Sequence, residues 1–229
     1  MTKSSSMGLF HSWEEKNPLA ESLRDDFYQL GFQFPMELSK AHPRRLDEYL
    51  AGRYCAQKAL EQFGEREYFP IKSRESRAPA WPAGFIGSIS HTKQTAWAVI
   101  ARLDKVKAIG NDIEIIMPAK TAKNIQEKIC TAAERAAFSA NYATQLNFPT
   151  YVTLIFSAKE SLYKALYPLF EVYFGFTDAT LVGIDFIRGQ LSLRLLKPLG
   201  DGALENCLFK IQFTLHENSL RTFILWERI

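Results

Sequence analysis

Two short stretches of this sequence group residue types that handle phosphate chemistry. In Gly110-Asn111-Asp112-Ile113-Glu114 the two acids stand two positions apart, and on a β-strand such positions share one face. In Phe156-Ser157-Ala158-Lys159-Glu160-Ser161-Leu162-Tyr163-Lys164, Glu160 and Lys164 stand four apart and share a face of a helix. If that helix packs on that strand, the carboxylates of Asp112, Glu114 and Glu160 converge with one ammonium. Carboxylates held so close repel one another unless a cation sits between them. Magnesium suits the set, because it prefers oxygen, takes one or a few carboxylates, and fills its shell with water and substrate phosphates. Lys164 would neutralise charge building on a departing phosphate oxygen. Plainer readings stand beside these: a Glu–Lys pair at this spacing is commonly a solvated helix pair worth a few tenths of a kcal/mol. Glu160 also fits the reciprocal half of a capping box opened by Ser157.

The elements that must position these residues follow from periodicity. Residues 43–63 repeat apolar side chains near every 3.6 positions (Leu46, Tyr49, Leu50, Ala56, Leu60, Phe63) and end at Gly64, which predicts an amphipathic helix. Residues 1–17 are polar and read as loosely held, with Leu9, Phe10 and Trp13 able to dock on the body. Residues 73–84 read as loop, shaped by Pro79 and Pro82. Strands are expected over 85–90, 95–101 and 106–116, with Pro118 ending the third. Thr131-Ala132-Ala133-Glu134 has capping-box spacing and opens a helix through Phe138. Ser157-Ala158-Lys159-Glu160 has the same spacing and opens a second helix, expected to run to about Tyr167, before Pro168. Four further strands are expected over 180–187, 191–196, 208–215 and 220–226. Each half thus offers a helix and several antiparallel-looking strands, an α+β protein.

With 47% apolar and 23% charged residues, the 229-residue chain has a globular composition. Its net charge of +3 does not demand a nucleic-acid partner. The positives do gather in the first half, as Lys40, Arg44, Arg45, Arg53, Lys58, Arg66, Lys72, Arg74 and Arg77. They read either as a solvated helix face or as a phosphate-binding surface. Cys55, Cys130 and Cys207 have no metal or disulfide spacing, which fits reduced thiols and a cytoplasmic location. Neither a secretory leader nor a membrane-spanning run is expected.

The blocks Gly110-x-Asp112-x-Glu114 and Phe156-Ser157-x-Lys159-Glu160-Ser161-x-x-Lys164 resemble the signature of the 4′-phosphopantetheinyl transferases. Upstream, Gly52-Arg53-Tyr54-Cys55-Ala56, then Arg77-x-Pro79-x-Trp81-Pro82-x-Gly84 and Gly87-Ser88-Ile89-Ser90-His91, resemble the larger, pseudo-dimeric type. That type includes the enterobactin and surfactin synthetase activators. The resemblance implies two similar subdomains, over 1–110 and 111–229, each a helix packed on a small antiparallel sheet. It implies transfer of phosphopantetheine from coenzyme A to a serine of an acyl or peptidyl carrier protein, with release of adenosine 3′,5′-bisphosphate. By position, Asp112, Glu114 and Glu160 match the magnesium ligands, and Glu160 also matches the general base. Lys164 matches the lysine at the pyrophosphate. Arg45, Arg53, Arg77, Ser90, His91 and Lys159 match the coenzyme A contacts, so that the coenzyme site would draw on both halves. A monomer would then be self-sufficient.

One residue departs from the pattern. Position 111, usually branched and apolar in the family, is Asn111. It faces away from Asp112 on a strand, so either its amide finds a partner in the core or the strand lies nearer solvent. An impaired, binding-only member of the same fold is the alternative this residue keeps open. Other classes fail on missing parts. Ser161-x-x-Lys164 lacks the Ser-Asp-Asn and Lys-Thr-Gly elements of penicillin-recognising enzymes, and no phosphate-binding Gly-x-x-x-x-Gly-Lys occurs. The segment from Pro118 to Pro149 is expected to receive the carrier, through Lys120, Lys123, Lys128 and Arg135 with Ile125, Ile129 and Phe138. Its plainer reading is a helix pair packed on the body.

Overall fold

The computed structural model describes residues 9–16, 42–65, 78–200 and 204–228. Arg77, with Lys40, Arg66, Lys72 and Arg74, lies outside them. Contacts divide the chain into two units, one running to Ile109 and including the residues from Trp226, the other Gly110–Leu225.

In the first unit, helix α1 (Pro43–Glu61) starts at His42, whose ring accepts from the Arg44 amide, and Pro43 supplies a preset φ. The chain turns out of it at Gly64, where φ is +86°. Strands β1 (Phe10–Lys16), β2 (Phe85–His91) and β3 (Thr95–Arg102) form an antiparallel sheet in the order β1-β3-β2. Ala51, Cys55, Ala56, Ala59 and Leu60 of α1 bury against Phe85, Ala96, Ala98 and Ile100 of the sheet, with Trp13 and Phe63 packed at the side. Small residues on both faces let the helix lie close to the sheet. Over Phe10–Lys16, β1 corrects the expectation of a loosely held segment: Phe10 pairs with Ala101 and Lys16 with Thr95 in unbroken register. Its charges, Glu14, Glu15 and Lys16, hide a period-two pattern. The His11 ring meets Phe63 edge-on at 4.4 Å, and Trp13, two positions on, joins the core.

The second unit is built on helix α4 (Phe148–Phe170) and a five-stranded sheet of order β4-β8-β7-β6-β5. The strands are β4 (Val106–Ile115), β5 (Ala179–Asp185), β6 (Gln190–Leu195), β7 (Leu208–Leu215) and β8 (Ser219–Glu227). β4 and β8 each supply residues to both units. Between β4 and α4 come α2 (Ala119–Ile129), the short α3 (Ala132–Ala137) and a π-helical turn, Phe138–Tyr142. The Thr131–Glu134 capping box forms with both of its hydrogen bonds.

α4 begins ten residues earlier than the sequence suggested. Its cap is Asn147, whose side chain accepts from the Thr150 amide at 2.9 Å, and Pro149 occupies the first turn. Ser157 therefore lies in mid-helix and caps nothing. Its hydroxyl sits 2.9 Å from that of Thr222 on β8. The capping explanation of Glu160 falls with it. Pro168 lies inside the helix rather than ending it, and the chain leaves through Glu171 at a left-handed φ of 52°. Among the described residues, no helix is long and apolar enough to cross a membrane.

Candidate active site

Strand β4 and helix α4 meet where both have small residues. A Cβ on Gly110 would collide with the carbonyl oxygen of Ser161 and approach the backbone nitrogen of Ala165 at 3.0 Å. Only glycine permits that approach, and it brings β4 against the face of α4 that bears Ser161 and Ala165. One turn of chemistry results. Lys164 Nζ donates to Asp112 Oδ1 at 2.7 Å and to the Asn111 carbonyl at 3.2 Å. The Asp112 carboxylate is nearly enclosed and the Lys164 ammonium is partly open to solvent.

The other two acids stand within electrostatic reach. Burial, with the charges of Asp112 and Glu160 added, pushes the Glu114 carboxyl up to about 7 against the pull of Lys164. Burial likewise raises Glu160, with Lys164 pulling the other way and Asp112 adding to the rise. The strand–helix pairing expected from spacing is thus present: three carboxylates sense one another around a single ammonium. Among the described residues no three acidic, histidine or cysteine side chains stand ready as a common metal cage. The donor set is all carboxylate oxygen, and an added cation would relieve the raised proton affinities of Glu114 and Glu160. One or two carboxylates with water and phosphate suffice for magnesium, so the residues fit that ion.

Asn111 is wholly buried, which excludes a strand lying near solvent. Beside Glu160 opens a groove walled by Tyr163, Tyr173, Phe174, Gly175 and Phe176. Tyr163 stacks on Tyr167 and meets Phe174 at 5.2 Å, while Phe156 packs on Phe176 at 5.1 Å. This aromatic wall was not anticipated from sequence. A signal was present in the run Tyr173-Phe174-Gly175-Phe176 following the motif helix.

Lys159 turns its ammonium into the interior. Matched by position to a coenzyme contact, it is 2% exposed, and its ammonium donates to Glu134 Oε2 at 2.7 Å and to the Ile129 carbonyl at 2.9 Å. It also lines the groove, but its ammonium is bonded inward, to Glu134 and the Ile129 carbonyl. Burial lowers its proton affinity and Glu134 restores part of it. The segment expected to receive the carrier divides between surface and interior. Lys120, Lys123 and Lys128 are exposed, but Ile129 is buried and Phe138 packs on Phe148 and Tyr151 at 5.2 and 5.1 Å. Of its apolar members only Ile129 is core, while Ile125 and Phe138 stay half-buried.

In the first unit, Arg45 Nη1 lies 3.2 Å from His91 Nε2, so α1 and the end of β2 bring these two together. Glu48 stands 3.6 Å from Arg45 and 3.9 Å from His91. Arg53, two turns on, is buried with its guanidinium 3.8 Å from the centre of the Tyr49 ring. Burial lowers its proton affinity, Tyr49 raises it, and the charge of Arg45 lowers it further. Ser90 is buried beside His91.

Comparison with known proteins supplies the family. A family model described as 4′-phosphopantetheinyl transferase N-terminal domain matches residues 34–101. A second, described as 4′-phosphopantetheinyl transferase superfamily, matches residues 108–217. Enterobactin synthase component D of Salmonella typhimurium is 36% identical over 187 residues, 82% of this chain and 74% of that protein. The Salmonella typhi protein of the same name is 44% identical over 69% of this chain and 63% of its own length. The 4′-phosphopantetheinyl transferase PptT of Mycobacterium tuberculosis is 33% identical over 62% of this chain and 60% of its own. The matched stretches thus span less than two thirds of two of these three relatives.

Proposed function

We propose a group-transfer reaction for this chain on one established premise: the chain belongs to the 4′-phosphopantetheinyl transferase superfamily. It moves the 4′-phosphopantetheine of coenzyme A onto a serine hydroxyl of an apo carrier protein and releases adenosine 3′,5′-bisphosphate. The similarity to enterobactin synthase components favours an aryl or peptidyl carrier of a siderophore-type nonribosomal peptide synthetase. The observation that carries the reading is the Lys164–Asp112 contact with Glu160 and Glu114 within electrostatic reach.

Phosphoryl transfer asks the protein for alignment and charge neutralisation more than for covalent chemistry. Glu160, raised by burial, holds a proton more readily than an exposed glutamate and suits the acceptor of the serine proton. Lys164 offers its ammonium to the oxygen that departs with the bisphosphate. Gly110 and the small face of α4 keep these groups at fixed separation. Asp112, Glu114 and Glu160 are the residues that would hold magnesium, which when bound neutralises pyrophosphate oxygens. The aromatic groove beside Glu160 supports a weakly polar arm lying there. Arg45, Arg53, Ser90 and His91, with Arg77, are the proposed contacts for the nucleotide and its 3′-phosphate, through planar guanidinium forks and a ring N–H. The Lys120–Lys128 face of α2 offers charge complementary to an acidic carrier.

The test is direct. Incubation with coenzyme A, magnesium and an apo carrier should raise the carrier's intact mass by one phosphopantetheine. No gain across several aryl, peptidyl and acyl carriers overturns the reading. Glu160→Ala should abolish the gain while leaving coenzyme A binding partly intact. A protein that binds coenzyme A but never modifies a carrier would instead be the binding-only member of the fold.

A further inference from the structure

Glu134 closes the capping box of α3, yet it is not placed as such a residue usually is. An N3 glutamate reaches back to the cap amide from an exposed first turn. Here the side chain is fully buried, and its two oxygens take three donors. Oε2 accepts from the Thr131 amide at 2.6 Å and from Lys159 Nζ at 2.7 Å, while Oε1 accepts from the Leu181 amide at 2.6 Å. One carboxylate therefore fastens α3, α4 and β5 at a single point. The Lys159 ammonium completes the knot by donating to the Ile129 carbonyl at the end of α2.

The position of Lys159 on α4 gives this knot a consequence for the site. It immediately precedes Glu160, and successive helix residues point roughly 100° apart. Anchoring Lys159 therefore fixes the rotation of α4 about its axis at that turn, and with it the direction of Glu160. The opposite constraint comes from Ser157 and Ser161, whose hydroxyls meet Thr222 at 2.9 and 2.7 Å. A buried charge pair is a poor device for stability alone, since apolar side chains of similar volume commonly serve as well or better. Its geometry is directional, and direction is what a proton acceptor at position 160 requires.

We infer that Glu134 and Lys159 form a positioning pair that aims Glu160 at the reacting centre, and that Lys159 is not a ligand of the coenzyme. This rests on the transfer reaction proposed above. Neither residue touches substrate; both act through Glu160. The pair works as a unit, because either partner alone leaves a buried charge uncompensated.

The test uses the full chain with Lys159→Met, Glu134→Gln and the double variant. Carrier modification is followed by intact mass, and coenzyme A binding by calorimetry. Positioning requires kcat to fall at least tenfold in each single variant, while the Kd for coenzyme A stays within about twofold. The double variant should lose no more than the worse single one, since groups in one network are not additive. Should Lys159→Met fail to fold by circular dichroism, Glu134→Gln and the double variant, which buries no charge, carry the measurement. A tenfold weaker Kd with kcat retained makes Lys159 a ligand and overturns the inference. Unchanged kcat in the folded variants also overturns it. An inactive wild type overturns the transfer reading and this inference together, whereas an active wild type with equally active variants overturns this inference alone.

Discussion

Gly110 lies against the backbone of Ser161, so close that a Cβ at position 110 would overlap the serine carbonyl oxygen. The obstacle is main chain on both sides, so no rotamer change relieves it. Gly110→Ala should destabilise the protein by about 1–3 kcal/mol, the usual cost of forced overpacking. It should also push β4 from α4 and lower transfer more than its stability effect explains. Urea denaturation beside carrier modification under fully folded conditions separates the two, and a variant with wild-type turnover would show that this spacing is not needed.

Lys164 is the ammonium at the acid cluster, bonded to the nearly enclosed Asp112 carboxylate while itself partly open to solvent. Its bridge to Asp112 is partly open to water, so removing it should cost less stability than breaking the enclosed Glu134–Lys159 pair. Its catalytic effect should be the larger of its consequences. Lys164→Met should lower kcat by about two orders of magnitude, the range for deleting one electrostatic stabiliser of a transition state. Melting temperature and steady-state kinetics on the same preparation check both statements.

The site was legible because two local periods are visible in one sequence. Asp112 and Glu114 declare themselves at strand spacing, and Glu160 and Lys164 at helix spacing. What joins them, the fit of Gly110 to Ser161, is long-range and appears in neither stretch. Helix α4 was misjudged at its start because Ser157 and Glu160 imitate a cap, while Asn147 and Pro149, the true start, precede a run apolar on every side. Such a run marks a buried helix and carries little periodicity. Strand β1 was hidden by its charges. The inward bond of Lys159 could not be read either, because its partner Glu134 lies twenty-five residues away and was already explained by the local capping box.

Thr222 should matter to stability in spite of its modest size. Its hydroxyl lies 2.7 Å from Ser161 Oγ and 2.9 Å from Ser157 Oγ, and donates to the Ser157 carbonyl at 2.8 Å, all in the buried interior. Thr222→Val keeps the shape, strands the Ser157 hydroxyl and leaves Ser161 only its 3.2 Å bond to the carbonyl of residue 222. A loss of about 1–3 kcal/mol is expected in denaturant titration, the cost of buried polar groups left unsatisfied. Ser157→Ala and Ser161→Ala added to Thr222→Val should recover part of it, because the stranded hydroxyls are then gone.

Cys55 and Cys130 predict an alkaline weakness. Burial pushes both thiols from the ordinary value near 9 up to about 12. Between those limits the unfolded chain gives up these protons while the folded chain keeps them. The unfolded state then binds fewer protons, so stability falls as pH rises. The contribution is intact below pH 9 and shrinks from there toward pH 12, by up to about 1.4 kcal/mol per pH unit for each thiol. Cys130→Ala should flatten this slope even if it lowers stability at neutral pH, and urea titrations at pH 8, 9, 10 and 11 would measure it. Thiol labelling at pH 8 gives a second reading: Cys207, half-buried, should react in the native protein, and the other two only after unfolding. Equal slopes for wild type and Cys130→Ala would mean that Cys130 titrates normally in the fold.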